Sequence, residues 1–280
     1  MTVVIEEKIA FLKTKAKEAR KDDLTMIAKA GSGHPGGSLS LIEILVSLFH
    51  GGVLQHDPKN PAWPDRDRLI LSKGHGCPAL YTLLAHRGYF PKEMLWTLRK
   101  LGSPLQGHPH LGLPGIEASS GSLGQGLSIA NGIALAGKLD KKSYRVYCIT
   151  GDGEVQEGQI WEAAMTAAQY KLDNLCAILD ANGIQQNGPV QQIKNIEPLP
   201  EKWRSFGWHV IEVNGHKFTE LLTAFDNAAK VQGRPTMVIA RTVKGKGVSF
   251  MEGRAEWHGK APNPEQLSQA LKEIESGDIG

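Results

Sequence analysis

The chain has 280 residues, 41% hydrophobic and 22% charged, an ordinary globular composition with enough length for one large domain. A net charge of +3 is too small to argue for nucleic acid or an anionic membrane surface. No apolar run approaches the ~20 residues of a membrane span. The three cysteines, Cys77, Cys148 and Cys176, form no CxxC pair, and Cys148 and Cys176 sit in apolar runs. An odd count without metal spacing suits a reducing cytoplasm. The opening "MTVVIEEKIAF" carries acids where a signal peptide needs a basic region.

Over residues 4–30, Ile5, Ile9, Leu12 and Ala16 recur at helical spacing and charges fill the gaps, which predicts a helix. "AGSGHPGGSLS" ends it, and a second apolar helix is expected over 39–49. "RDRLILSKGHG" reads as a short buried strand, 69–71, running into a glycine-flanked loop. Helices are expected at 77–88 and 91–100. The stretch 102–126, "GSPLQGHPHLGLPGIEASSGSLGQG", has too much Gly and Pro for regular structure, and so long a loop in a compact domain is usually functional. Beyond it, helices at 124–138, 157–170 and 217–232 alternate with strands at 145–150, 174–180, 209–213 and 236–241. From Asn263 the tail reads as an amphipathic helix fraying at "ESGDIG". This alternation predicts an α/β fold, a parallel sheet with helices on both faces, formed by one domain over 1–280.

In such a sheet, ligands gather beyond the carboxyl ends of the strands. Three glycine-rich loops lie there: "SKGHG", "TGDGE" and "DANGIQQNG". Asp152 stands between two glycines, before a helix whose amino end favours phosphate. A carboxylate there repels phosphate unless a cation lies between them. Magnesium fits, because it takes one or two protein oxygens and shares phosphate oxygens. Asn182 ends the next strand, with 28 residues between Gly153 and Asn182, about one strand–helix–strand step. The Ile184 carbonyl can ligate where its side chain cannot. Glu154 and Glu157 read as first-turn acids that favour the helix dipole. Ile160, Ala163, Ala164, Ala167 and Ala168 read as a close-packed core face. His50, His56, His86, His110, His209 and His216 read as packing or surface residues, and Lys246 as solvated.

"GDG" followed about thirty residues later by Asn is the thiamine-diphosphate fingerprint. With "SGHPGGSLS", "LSKGHGCPALY", "QGHPHLGLPGIEASSGSLGQGLS", "GDGEVQEGQIWEAA", "LDANGIQQNG" and "VKGKGVSF…EWHGKAP", the chain resembles transketolases from about residue 20 to 262. The resemblance implies a thiamine-diphosphate-binding fold. It implies that Asp152, Asn182 and the Ile184 carbonyl hold Mg²⁺, with Ca²⁺ or Mn²⁺ as substitutes. It places His75, Gly153, Asn182, Lys244 and His258 near the diphosphate, and Gly121, Ser122 and Leu123 near the cofactor's rings. His34, His75, His108 and His258 would line a sugar channel and move protons, and Glu157 would face the corresponding half-site across a subunit interface. The chemistry suits imidazoles, which titrate near working pH.

Transketolases normally carry two further domains, one of them supplying the glutamate that activates the cofactor. The expectation is therefore the amino-terminal subunit of a split transketolase. Its partner would be a carboxyl-terminal, pyrimidine-binding chain in an α₂β₂ heterotetramer acting on sugar phosphates. The same motifs leave open a half-subunit of a deoxyxylulose-phosphate synthase or 2-oxo acid dehydrogenase type, or a catalytically silent cofactor-binding module. Ser122, where many relatives have Pro, and His110, where an acid is common, depart from the family pattern and bear on sugar preference.

Overall fold

The computed structural model describes residues 2–277, with side chains from residue 5. In chain order the elements are α1 (Thr2–Ala30), α2 (Pro35–Leu39), α3 (Ile42–His50), β1 (Arg68–Leu71), α4 (Cys77–His86), α5 (Gln125–Leu139), β2 (Val146–Gly151), α6 (Gly158–Gln169) and β3 (Leu175–Ala181). There follow β4 (Ile184–Gln185), β5 (Gly188–Pro189), α7 (Val190–Ile193), α8 (Leu199–Ser205), β6 (His209–Asn214), α9 (Phe218–Lys230), β7 (Thr236–Arg241) and α10 (Pro264–Ser276). Five strands form one sheet in the order β1-β2-β3-β7-β6, every neighbouring pair parallel. β4 and β5 make a separate antiparallel hairpin. Strand order reverses where β7 returns beside β3, so the loops leaving these two strands open a crevice at the carboxyl edge.

Alternation along the strands explains the two faces. Tyr147, Ile149, Cys176, Ile178, Val238 and Ala240 pack with Leu12, Leu45, Leu80 and Phe225 from α1, α3, α4 and α9. Their neighbours Cys148, Ala177, Leu179, Met237 and Ile239 pack with Ala134, Ile160, Ala164 and Trp203 from α5, α6 and α8. A strand buried on both faces reads as a continuous apolar run, which is why "VYCIT" and "LCAIL" were legible. A smaller cluster of Leu24, Leu39, Val248, Met251, Trp257, Ala270 and Ile274 pins α10 to α1. The Asn263 side chain starts α10 by accepting from the Gln266 amide at 2.8 Å.

Two expected helices differ. The 91–100 segment is a short 3₁₀ stretch, Lys92–Thr97, ended at Leu98 and followed by Arg99 at φ 59. The 39–49 helix forms as α3 from Ile42 on, and Leu39 belongs to the end of α2. Ser40 turns its hydroxyl onto the buried Asp180 at 2.6 Å, and α3 begins at Ile42. Of the core face read on α6, Ile160, Ala163, Ala164 and Ala167 are buried and Ala168 partly so. All three cysteines are buried thiols. The final residues of the expected fraying tail, 278–280, lie outside the described residues.

Candidate active site

A cavity of about 350 Å³ opens at the carboxyl ends of β1, β2, β3 and β7. β2 delivers Asp152, only 4% exposed, with Oδ1 accepting from the Gly153 amide at 2.8 Å and Oδ2 from the Gly183 amide at 2.6 Å. β3 delivers Asn182, whose Oδ1 accepts from the Ile184 amide at 3.1 Å. The Ile184 carbonyl accepts from Lys244 Nζ at 3.3 Å. Burial, with the negative charge of Asp180 nearby, raises the Asp152 carboxyl to about 6. Among the described residues no basic side chain lies within ion-pair distance of Asp152.

The donor set fits a divalent cation. A buried carboxylate without an ionic partner, an amide oxygen and a backbone carbonyl face one cavity, and each oxygen keeps a lone pair. Glycine backbone at Gly121, Gly151 and Gly153 lines the same cavity, where side chains would crowd it. A Cβ on Gly153 would stand 3.0 Å from the Gln185 Cβ, and one on Gly121, at φ +142, 3.2 Å from the His108 ring.

Three imidazoles in the same cavity form a triangle. Ring centroids of His34, His75 and His258 lie 5.2–5.3 Å apart. Burial lowers each of them, helped by neighbouring positive charge, His34 to about 4, His258 to about 3 and His75 well below the usual range. Burial and Arg99 lower His108 as well. All four are therefore neutral near pH 7 and can accept a proton. Lys244 Nζ lies 2.8 Å from His258 Nδ1, and burial with the charge of Lys73 lowers the lysine to about 8. With Lys244 protonated, His258 accepts at Nδ1 and carries its own proton on Nε2.

His34, His75, His108, Gly121, Leu123, Asp152, Gly153, Glu157, Asn182, Ile184, Lys244 and His258 all line this cavity. Ser122 is not among the lining residues; its side chain is exposed between Gly121 and Leu123. Glu157 is exposed at the cavity rim, at the amino end of α6.

Glu154 corrects the sequence reading. It is 2% exposed and does more than favour a helix dipole. Its Oε1 accepts from the Gly124 amide at 2.9 Å and from the Ser72 hydroxyl, and its Oε2 from the Gly151 amide at 3.0 Å. It thus ties the ends of β1 and β2 to the loop that enters α5. Three donors leave no place for an amide NH₂. Glu154→Gln should lower unfolding stability by about 1–3 kcal/mol, read by urea denaturation. Lys246 is half-buried and paired with Glu252 at 3.2 Å, not merely solvated.

Sequence reasoning also missed Lys73, which lines the cavity, and its partner Asp180, both essentially unexposed and 2.5 Å apart. Asp180 accepts from Ser40 and Thr242 as well, and Lys73 donates to the Gly37 carbonyl at 3.1 Å. Burial raises the Asp180 carboxyl, but Lys73 and the hydrogen bonds outweigh that and hold it low. The available signal was a lysine and an aspartate standing at the ends of otherwise apolar strands, "LILSK" and "LCAILD".

Residues 13–275 match the model of the transketolase thiamine diphosphate binding domain. The chain belongs to the transketolase family. It is 48% identical over 265 residues to the 6-deoxy-6-sulfo-D-fructose transketolase subunit SqwG of Clostridium sp. (strain MSTE9), covering 94% of this chain and 96% of that one. It is 41% identical to an apulose-4-phosphate transketolase subunit of Phocaeicola vulgatus, covering 95% and 94%. The transketolase structure from Campylobacter jejuni superposes with a TM-score of 0.90 at 36% identity. That match covers 95% of this chain and 43% of that one, so the chain spans less than half the length of that transketolase. The fold is thus the α/β thiamine-diphosphate-binding fold of transketolases.

Proposed function

We propose that this chain is the diphosphate-binding subunit of a two-chain transketolase and holds thiamine diphosphate with Mg²⁺ in the cavity described. With a second chain bearing the pyrimidine-binding half, in an α₂β₂ assembly, it transfers a two-carbon ketol unit from a ketose to an aldose. The observation that carries this reading is the convergence of Asp152, Asn182, the Ile184 carbonyl and Lys244 with three neutral imidazoles in one cavity. Near-complete coverage of relatives named as subunits supports the two-chain form. Those names, one with a sulfo group and one with a phosphate, support a ketose carrying an anionic end. Xylulose 5-phosphate as donor and ribose 5-phosphate as acceptor are the default pair. Three buried free thiols, and no helix among the described residues fit to cross a membrane, support a cytoplasmic setting.

When bound, thiamine diphosphate supplies the nucleophilic carbon and the electron sink. The residues of this chain bind and move protons. Asp152, Asn182 and Ile184 hold the metal, Lys244 meets the diphosphate, and Gly153 lets it touch backbone. His258, protonated at Nε2, donates to a substrate oxygen. His34, His75 and His108, held neutral, accept hydroxyl protons.

The test is reconstitution. Ketol transfer should appear when the chain is mixed with the product of the neighbouring reading frame, thiamine diphosphate and Mg²⁺. Assays should compare xylulose 5-phosphate, 6-deoxy-6-sulfofructose and apulose 4-phosphate. Activity from this chain alone overturns the two-chain reading, decarboxylation of a 2-oxo acid overturns the transferase reading, and cofactor binding without turnover in any pair favours a silent module.

The pH dependence has a definite sign. Asp152 is raised to about 6 in the folded chain, so the stability it lends is present below the ordinary carboxylate range and lost as pH rises through about 6. Metal binding needs the carboxylate and reverses that loss. The Mg²⁺-dependent affinity for thiamine diphosphate should be flat between pH 6 and 8. Below about 6 it should fall, approaching tenfold per unit, as read by titration calorimetry. Above about 8 it should fall again as Lys244 loses its charge.

A further inference from the structure

His216 lies in the turn between β6 and α9, far in sequence from every residue expected to touch the cofactor. Its Nδ1 is 2.8 Å from Glu43 Oε2, and its Nε2 accepts the Val243 backbone N–H at 2.8 Å. An Nε2 that accepts carries no proton, so the ring is the neutral Nδ1–H tautomer, donating to Glu43. Glu43, at 0% exposure on α3, also meets Arg20 of α1 through Nη1 at 2.6 Å and Nη2 at 2.8 Å. Arg20, equally buried, donates its Nε–H to the Lys246 carbonyl at 3.0 Å.

The network therefore grips the loop after β7 at Val243 and at Lys246, on either side of Lys244. Between those grips the Lys244 side chain, 1% exposed as a residue, crosses to the cavity and reaches the Ile184 carbonyl and His258. The fit is close. A Cβ on Gly215, beside His216, would stand 2.4 Å from the Thr242 side chain, so the two loops meet with no room between them. Gly245 is held from the other side, donating to the Gly36 carbonyl at 2.9 Å.

Simple packing would not need this chemistry. Burying an arginine, a glutamate and a histidine together is costly, and apolar residues of similar volume serve a core at least as well. What charged groups provide is a fixed direction for each hydrogen bond, and here the directions converge on the backbone around one lysine. We infer that His216, oriented by Glu43 and Arg20, is a positioning residue that fixes Lys244 against the cofactor's diphosphate. It acts through the backbone and touches neither cofactor nor substrate. The inference rests on the proposed role of Lys244, and the experiment separates the two.

Thiamine diphosphate is titrated calorimetrically at saturating Mg²⁺ into the reconstituted two-chain assembly carrying the unaltered chain, Lys244→Met, His216→Leu, His216→Gln or the His216→Leu/Lys244→Met double variant. Lys244→Met should weaken binding roughly tenfold or more, as loss of a charged hydrogen-bond donor to phosphate does. His216→Leu should cause a loss of similar size. The double variant should be no weaker than the worse single, because both changes remove one contact. His216→Gln, which can still donate to Glu43 and accept from Val243, should restore most of the affinity. Wild-type affinity in His216→Leu, or effects that multiply in the double variant, would overturn the inference while leaving Lys244 in place. Unchanged binding in Lys244→Met would overturn the lysine's role, and this inference with it. Should His216→Leu not fold, His216→Asn, too short to reach Val243, takes its place in the same cycle with the same outcomes.

Discussion

Asp152→Asn is expected to abolish Mg²⁺-dependent binding of thiamine diphosphate, with a loss of affinity of roughly a hundredfold or more. The substitution keeps shape and removes one unit of charge from a side chain that is 4% exposed. Next to a divalent ion at such a site, that charge contributes several kcal/mol, and asparagine offers one neutral oxygen in its place. Titration of thiamine diphosphate with and without Mg²⁺ reads the effect directly. In the wild-type chain the two isotherms should differ widely, and in Asp152→Asn they should coincide. Persistence of the wild-type metal dependence in the variant would remove Asp152 from the metal site. The pH dependence offers a second view of the same group, since the falling limb below about 6 should vanish with the carboxylate.

The largest effect on stability is expected at Lys73→Met. The replacement keeps the length of the side chain but leaves Asp180 ionised at 0% exposure, without its cation 2.5 Å away. Breaking one side of a buried pair typically costs about 3–5 kcal/mol, more than either group contributes when the pair is intact. Urea denaturation should show the midpoint falling by that equivalent at unchanged slope. The Lys73→Met/Asp180→Asn double variant should recover much of the loss, because no uncompensated charge remains. A stability within about 1 kcal/mol of wild type in the single variant would mean that Ser40 and Thr242 alone satisfy Asp180. Asp180 precedes Asn182 by two residues at the end of β3, so the pair also stiffens the strand end that presents the proposed metal ligand.

Much of the architecture was legible because it follows from patterns of short range. The β-strands were apolar runs between glycine loops, and the β7 limits 236–241 were read without error. The other main strands were displaced by at most a residue at either end. Misreadings fell where tertiary contacts override local preference. Residues 91–100 have a helical composition, yet only the 3₁₀ stretch Lys92–Thr97 forms, and the chain turns at Arg99 in a left-handed conformation. The helix expected from residue 39 starts only at Ile42, after Ser40, whose hydroxyl meets Asp180, 140 residues away in sequence.

The candidate site divides in the same way. Sequence alone determined the residues whose chemistry shows in a motif: Asp152 between glycines, Asn182 one strand–helix–strand step later, and histidines in glycine- or proline-flanked loops. The ligand proposed for those positions would impose a spacing that can be read along the chain. Tertiary structure alone decided Glu154, Lys73, Asp180 and the Arg20–Glu43–His216 network. Each is a charged or polar group made tolerable in the interior only by partners from distant segments. Along the chain Glu154 cannot be told from a solvated helix acid, nor His216 from a surface histidine. A buried charge acquires its meaning from the partner it faces, and folding brings that partner into place.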